Sequence, residues 1–98
     1  MVKKKCLLRL YVTGQTINSV KAIHNLKKIF SGELKEMYEL QIINVLENPQ
    51  LAEDEKILAT PTLSRVLPLP VKRIIGDLSD KEKVLLGLDI VEVGNKWL

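Results

Sequence analysis

Asn48-Pro49-Gln50-Leu51-Ala52-Glu53-Asp54-Glu55-Lys56-Ile57-Leu58-Ala59-Thr60-Pro61-Thr62-Leu63 opens with helix signals and closes with strand signals. Asn48 before Pro49 reads as an N-cap with proline at the first helical position, where a missing amide donor is harmless. Glu53 and Asp54 come early and Lys56 late, the charge order a helix dipole favours. Pro49 to Leu58 is therefore expected to be a short helix. Thr60-Pro61 ends it, because proline removes a donor and pushes the preceding residue toward extended backbone. Leu67-Pro68-Leu69-Pro70 follows, so Thr62 to Leu67 lies between prolines and fits either an edge strand or a single helical turn.

Toward the N-terminus the pattern is plainer. In the run Lys5 to Val12, Cys6, Leu8, Leu10 and Val12 lie on one face of an extended chain and Leu7, Arg9 and Tyr11 on the other. Apolar content on both faces predicts a central strand. Thr13-Gly14-Gln15-Thr16 supplies a turn, after which Thr16 or Asn18 caps a helix whose Val20, Ile23, Leu26, Ile29 and Phe30 recur at helical spacing. Gly32 is the expected stop. Tyr38 to Val45 alternates as a second strand, completing a βαβ unit with parallel strands.

Toward the C-terminus local preferences conflict. Val71 to Ile75 fits either class, and Ser79-Asp80-Lys81-Glu82 resembles a capping box opening a helix toward Leu88. Yet Leu88 to Val93 alternates apolar with polar and carries β-branched residues, as a strand would. Helix at 49–58, strands at 62–67 and 71–75 and helix at 79–88 together give the order βαβαββα. That is the thioredoxin arrangement, an α/β fold in which Thr60-Pro61-Thr62 falls at the site of a cis-proline.

The chemistry such a fold usually performs is missing. A thiol-disulfide oxidoreductase needs an accessible thiolate at the first strand-to-helix turn, and Thr13 to Thr16 contains none. Cys6, the single cysteine of 98 residues, is expected within a strand. It also leaves no disulfide framework, which fits a reducing cytoplasm. His24 has no acidic or cysteine partner three or four residues away, so neither a catalytic nor a metal role is assigned to it. Glu53, Asp54 and Glu55 are adjacent and face different directions on a helix, which prevents them from converging as an acid-base pair. Gly14 and Gly76 are isolated, so no phosphate-cradling loop and no cofactor are expected.

The net charge of +3 is dispersed apart from Lys3, Lys4 and Lys5, and the chain holds only four aromatic residues. Nucleic-acid binding needs a basic stripe or stacking platforms and is not expected. No run approaches the roughly 18 apolar residues of a membrane span. Hydrophobic residues at 46% and charged residues at 28% describe a soluble chain with a packed core, and its length suits one domain over residues 1–98.

Leu10-Tyr11-Val12-Thr13-Gly14, Asn18-Ser19-Val20, the run from Asn48 to Glu53, the run from Lys56 to Leu63 and Arg73-Ile74-Ile75-Gly76-Asp77-Leu78-Ser79 resemble the KaiB family of circadian clock proteins, from about residue 5 to 91. The resemblance implies a non-enzymatic regulator of a KaiC-type ATPase ring and its phosphorylation cycle. It also implies a metamorphic protein, resting as a homotetramer ordered βαββααβ and converting to a thioredoxin-like βαβαββα monomer that binds the ring. In that state the family sequesters KaiA and competes with a clock-output histidine kinase whose N-terminal domain is thioredoxin-like.

Carried onto this chain, the resemblance places partner contacts at Lys56, Lys21, Glu39 and Gln41 and the fold balance at Gly87, Asp89, Pro61, Pro68 and Pro70. Glycine costs roughly 1 kcal/mol in a helix interior relative to alanine, so Gly87 is expected to weaken the terminal helix. The prolines add slow isomerisation steps of roughly tens to hundreds of seconds. Three departures stand out: Leu67-Pro68-Leu69-Pro70 replaces the common Leu-Pro-Pro-Pro, the chain ends at Asn95-Lys96-Trp97-Leu98 where an acidic tail is common, and Glu39-Leu40-Gln41 replaces Ala-Leu-Lys. The last removes a positive charge from the KaiA-facing edge and weighs against KaiA binding. It leaves open a second function: a thioredoxin-like adaptor or sensor domain acting on a histidine kinase or stress partner outside the core clock.

Overall fold

The structure is a computed structural model that describes residues 6–90. The Lys3 to Lys5 cluster, the alternation beyond Ile90 and the terminal Asn95 to Leu98 lie outside the described residues. The elements run β1 (Cys6–Val12), α1 (Ile17–Ile29), α2 (Glu33–Met37), β2 (Tyr38–Asn44), α3 (Pro49–Asp54), β3 (Thr62–Leu67), β4 (Lys72–Ile75) and α4 (Lys81–Gly87). Setting aside the five-residue α2, which the sequence did not announce, the order is βαβαββα. The second half thus takes the thioredoxin-like path, and the βαββααβ order is not the one seen here.

The strands form one sheet in the order β2-β1-β3-β4. β1 pairs parallel with β2 and antiparallel with β3, and β3 pairs antiparallel with β4. β1 is central, as its two apolar faces predict. β3 is also internal, contrary to the edge-strand expectation. Pro61 and Pro68 flank it without entering it, so their missing donors fall beyond its ends. The Thr60-Pro61, Leu67-Pro68 and Leu69-Pro70 peptide bonds are all cis.

Strand alternation divides the molecule into two faces. Leu8, Leu10 and Val12 of β1, Leu63 of β3 and Tyr38 of β2 join Ala22, Leu26 and Ile29 of α1 and Val84, Leu85 and Leu88 of α4 in one core. Arg9, Gln41 and Ser64 stand on the other face, where Arg9 reaches Glu55 at the end of α3 at 3.8 Å. The expected helix face is rotated slightly: Val20 is half exposed, and Ala22 and Ser19 are buried instead.

Caps explain the remaining boundaries. Thr16, not Asn18, caps α1 by accepting from the Ser19 amide, and Asp80, not Ser79, caps α4 by accepting from the Lys83 amide. α1 ends at Ile29, and Gly32 (φ +63°) opens α2 rather than stopping α1 directly. α3 stops at Asp54, short of Leu58, and Lys56 turns left-handed at φ +56°.

Candidate partner-binding surface

The turn after β1 faces the loop before β3, where thioredoxin chemistry would sit, and hydroxyl and amide groups fill it. Thr13 Oγ1 lies 2.5 Å from Thr60 Oγ1. The Thr13 amide donates to Ser19 Oγ at 3.1 Å, and Thr16 Oγ1 donates to the same oxygen at 2.8 Å. Asn44 Oδ1 accepts from the amides of Gly14 (3.1 Å) and Leu46 (3.0 Å), binding the ends of β1 and β2 together. The turn is thereby tied to β2, to α1 and to the loop before β3, and it contains no thiol.

Apolar side chains rim this turn. Leu58 is 95% exposed, Ile17 75%, Leu46 68% and Val20 51%. Open depressions flank Thr13-Gly14, one lined by Ile57, Leu58 and Thr60 and the other by Val20, Ile23 and His24. The sequence reading singled out none of Ile17, Leu46 and Leu58. The one available signal was that they stand off the period of the buried positions.

The structure separates the residues carried over as partner contacts. Lys56 is exposed just after α3, on the Arg9 face of the sheet, whereas Lys21 is exposed on α1, whose buried side packs on the opposite face. Glu39 and Gln41 are neighbours on the β2 edge: Gln41 Nε2 donates to Glu39 Oε2 at 3.3 Å, and Gln41 Oε1 accepts from Arg9 Nε at 2.8 Å. That edge therefore carries an exposed carboxylate tied into a network with Arg9 and Glu55.

The residues expected to set a fold balance have these local settings. Gly87 is the last residue of α4 and not an interior one. A Cβ there would lie 2.6 Å from Ile74 Cδ1 and 2.8 Å from Ile74 Cγ1. The absent side chain makes room for β4, so helix propensity alone does not describe the position. Asp89, one residue past the C-cap Leu88, is left-handed at φ +58°, where glycine is usual. Pro68 and Pro70 are exposed between β3 and β4, and Pro61 is buried.

Cys6 pairs with Tyr38 at the start of β1, about 20 Å along the strand from the turn at 3.3 Å per residue. Burial pushes the Tyr38 phenol above its ordinary value, the adjacent Cys6 thiol adds to that, and Arg65 opposes it. Among the described residues no three His, Cys, Asp or Glu side chains cluster as a metal site, and no helix is long and apolar enough to cross a membrane.

A β2-β1-β3-β4 sheet, a cis-proline at the entry to β3 and a facing turn without cysteine define a thioredoxin-like α/β protein lacking the thiol pair. Solved structures agree. The N-terminal domain of Synechococcus elongatus SasA matches with a TM-score of 0.69 at 30% identity over 88% of this chain and 83% of that one. Mitochondrial thioredoxin 3 of Saccharomyces cerevisiae matches at 0.71 and 16% identity over 89% and 79%, a likeness of fold alone. The KaiB domain model matches residues 9–90. The circadian clock oscillator protein KaiB of Synechococcus elongatus is 62% identical over 91% of this chain and 87% of its own length, and that of Picosynechococcus is 60% identical over 93% and 88%. The chain belongs to the KaiB family.

Proposed function

We propose that this chain is a single-domain, non-enzymatic circadian clock regulator that binds a KaiC-type ATPase ring in its thioredoxin-like arrangement and modulates the ring's phosphorylation cycle. The observation that carries this reading is a KaiB match over residues 9–90 joined to a thioredoxin-like structure with no thiol in its first turn. The apolar rim around Thr13-Gly14 offers area for docking, and Lys56 stands beside it as a charged contact. Lys21, on the opposite face, serves a separate contact.

At rest the chain forms a cytoplasmic homotetramer in the βαββααβ order. A chain this short gains by burying apolar side chains between subunits. Leu69, Ile75 and Leu86, each more than 60% exposed here, are the surface that gains most. Likeness to the SasA N-terminal domain supports competition with a clock-output histidine kinase, since domains of one shape can occupy one docking site. KaiA is the weakest member of the partner set, because the β2 edge has Gln41 where a lysine is common and adds a negative charge at Glu39. That same departure favours the second reading, an adaptor outside the core clock.

The test is co-elution with an ATP-loaded KaiC-type ring after long incubation. Association is expected, weakened about ten-fold or more by Lys56→Glu, one lost charge-assisted contact being worth roughly 1.5–3 kcal/mol. Binding to a histidine-kinase sensor partner but never to the ring would establish the adaptor instead. Insulin reduction should stay at background.

A further inference from the structure

Arg65 stands on the core side of the sheet, opposite Leu8 of β1 and Lys72 of β4. It is only 6% exposed. A guanidinium does not give up its proton in a protein, so its charge must be compensated where it lies. No carboxylate among the described residues pairs with it. Its partners are main-chain carbonyls: Nη1 donates to Leu88 O at 2.7 Å and more weakly to Asp89 O at 3.5 Å, and Nη2 donates to Pro70 O at 2.9 Å. Nε is buried without a partner.

These carbonyls belong to two separate segments. Leu88 and Asp89 close α4, where helix carbonyls lack intrahelical donors and present partial negative charge. Pro70 belongs to the link between β3 and β4. One side chain rooted in β3 therefore holds both the end of α4 and the Pro68-Leu69-Pro70 link against the sheet. The fork suits this task, because the contacts to the two segments leave from different nitrogens of one planar group.

We propose that Arg65 is the internal clamp of the thioredoxin-like arrangement, fastening α4 and the 68–70 link to β3. The clamp deepens the proposed function, since it rests on the reading that the second half rearranges and places one control of that rearrangement in the Arg65 fork. Leaving the thioredoxin-like order requires the guanidinium to give up all three carbonyls together.

Arg65→Lys keeps the buried cation and removes the fork, and Arg65→Met keeps the bulk and removes both charge and fork. Amide hydrogen exchange by NMR, read on the thioredoxin-like resonances, is the measurement. In both variants exchange is expected to quicken about ten-fold or more at Leu88 and Ile90, whose amides donate to Val84 O and Leu85 O, which is the size of one lost charge-assisted hydrogen bond. Phe30, donating to Leu26 O in the first half, should be unaffected. Unchanged exchange at Leu88 and Ile90, or an equal acceleration at Phe30, would overturn the clamp. If Arg65→Lys does not fold, Arg65→Met decides by the same criterion. Secondary shifts of residues 49–90 in the parent report separately whether a second arrangement exists, so failure of the switch and failure of the clamp are read from different signals.

Discussion

The two halves of the chain solve the same backbone problem differently. In the first half, Cys6 to Asn44, positive φ falls only on Gly14 and Gly32, residues without a Cβ to clash. In the second half it falls on Lys56, Leu78 and Asp89 as well as Gly76. A left-handed L-residue costs roughly 1–2 kcal/mol, less for Asp, which hydrogen-bonds locally. The second half also has no long helix, with six residues in α3 and seven in α4, whereas the first half has the thirteen-residue α1 beside its five-residue α2, and it depends on the Arg65 clamp. One half is built from locally content elements, and the other is held in place by tertiary contacts, which is where the proposed second arrangement would compete.

Breaking the shared core should have the largest effect. Leu10, fully buried in β1, serves both arrangements if the first half is common to them. Leu10→Ala is expected to cost about 2–5 kcal/mol without changing the ratio of the two forms, as measured by denaturant midpoint and by NMR populations. A selective loss of one form would show that β1 is not common ground.

A reciprocal exchange of glycine sharpens the contrast next. Gly14→Ala puts a Cβ at φ +51°, 3.4 Å from Leu46 Cδ1, and should destabilise by about 1–2 kcal/mol. Asp89→Gly should do the reverse, relieving the left-handed position while loosening any extended conformation of the same residue. A gain of up to about 1 kcal/mol raises the thioredoxin-like fraction by as much as five-fold. Equal signs for the two substitutions would mean that backbone strain is not what separates the halves.

The smallest expected effect is at Gly87. Alanine favours the helix, but its Cβ must displace the Ile74 side chain, so the two contributions oppose each other and the net change should fall below about 1 kcal/mol. In an Ile74→Ala background the opposition disappears, and Gly87→Ala should become more favourable by roughly 0.5–1.5 kcal/mol in a double-mutant cycle. Additivity would show that the contact between α4 and β4 does not govern this position.

What the sequence disclosed follows the same division. Alternation in Cys6 to Val12, a cap at Thr16 or Asn18 and a parallel partner from Tyr38 to about Val45 were legible because local preference and tertiary position agree there. α4 and the C-terminal end of α3 were blurred, because Asp80 rather than Ser79 caps one helix and the other ends at Asp54, ahead of a left-handed Lys56. β3 fitted either an edge strand or a single helical turn because prolines flank it. Its internal place follows from pairing with β1 and β4, which no local pattern encodes. At the candidate surface, the missing thiol was plain from Thr13 to Thr16. The Thr13–Thr60 contact, the apolar rim and the Ile74 seat beneath Gly87 join residues up to 47 positions apart and left no periodic trace.

The most direct measurement is a dilution series of heteronuclear NMR spectra with secondary shifts for residues 6–90. One set of shifts is expected for residues 6–44 at every concentration. For residues 49–90 two slowly exchanging sets are expected, a βαββααβ set dominant when concentrated and the βαβαββα set growing on dilution as tetramers dissociate. A single βαβαββα set for residues 49–90 throughout the series, on a particle that stays monomeric, would contradict the proposed second arrangement.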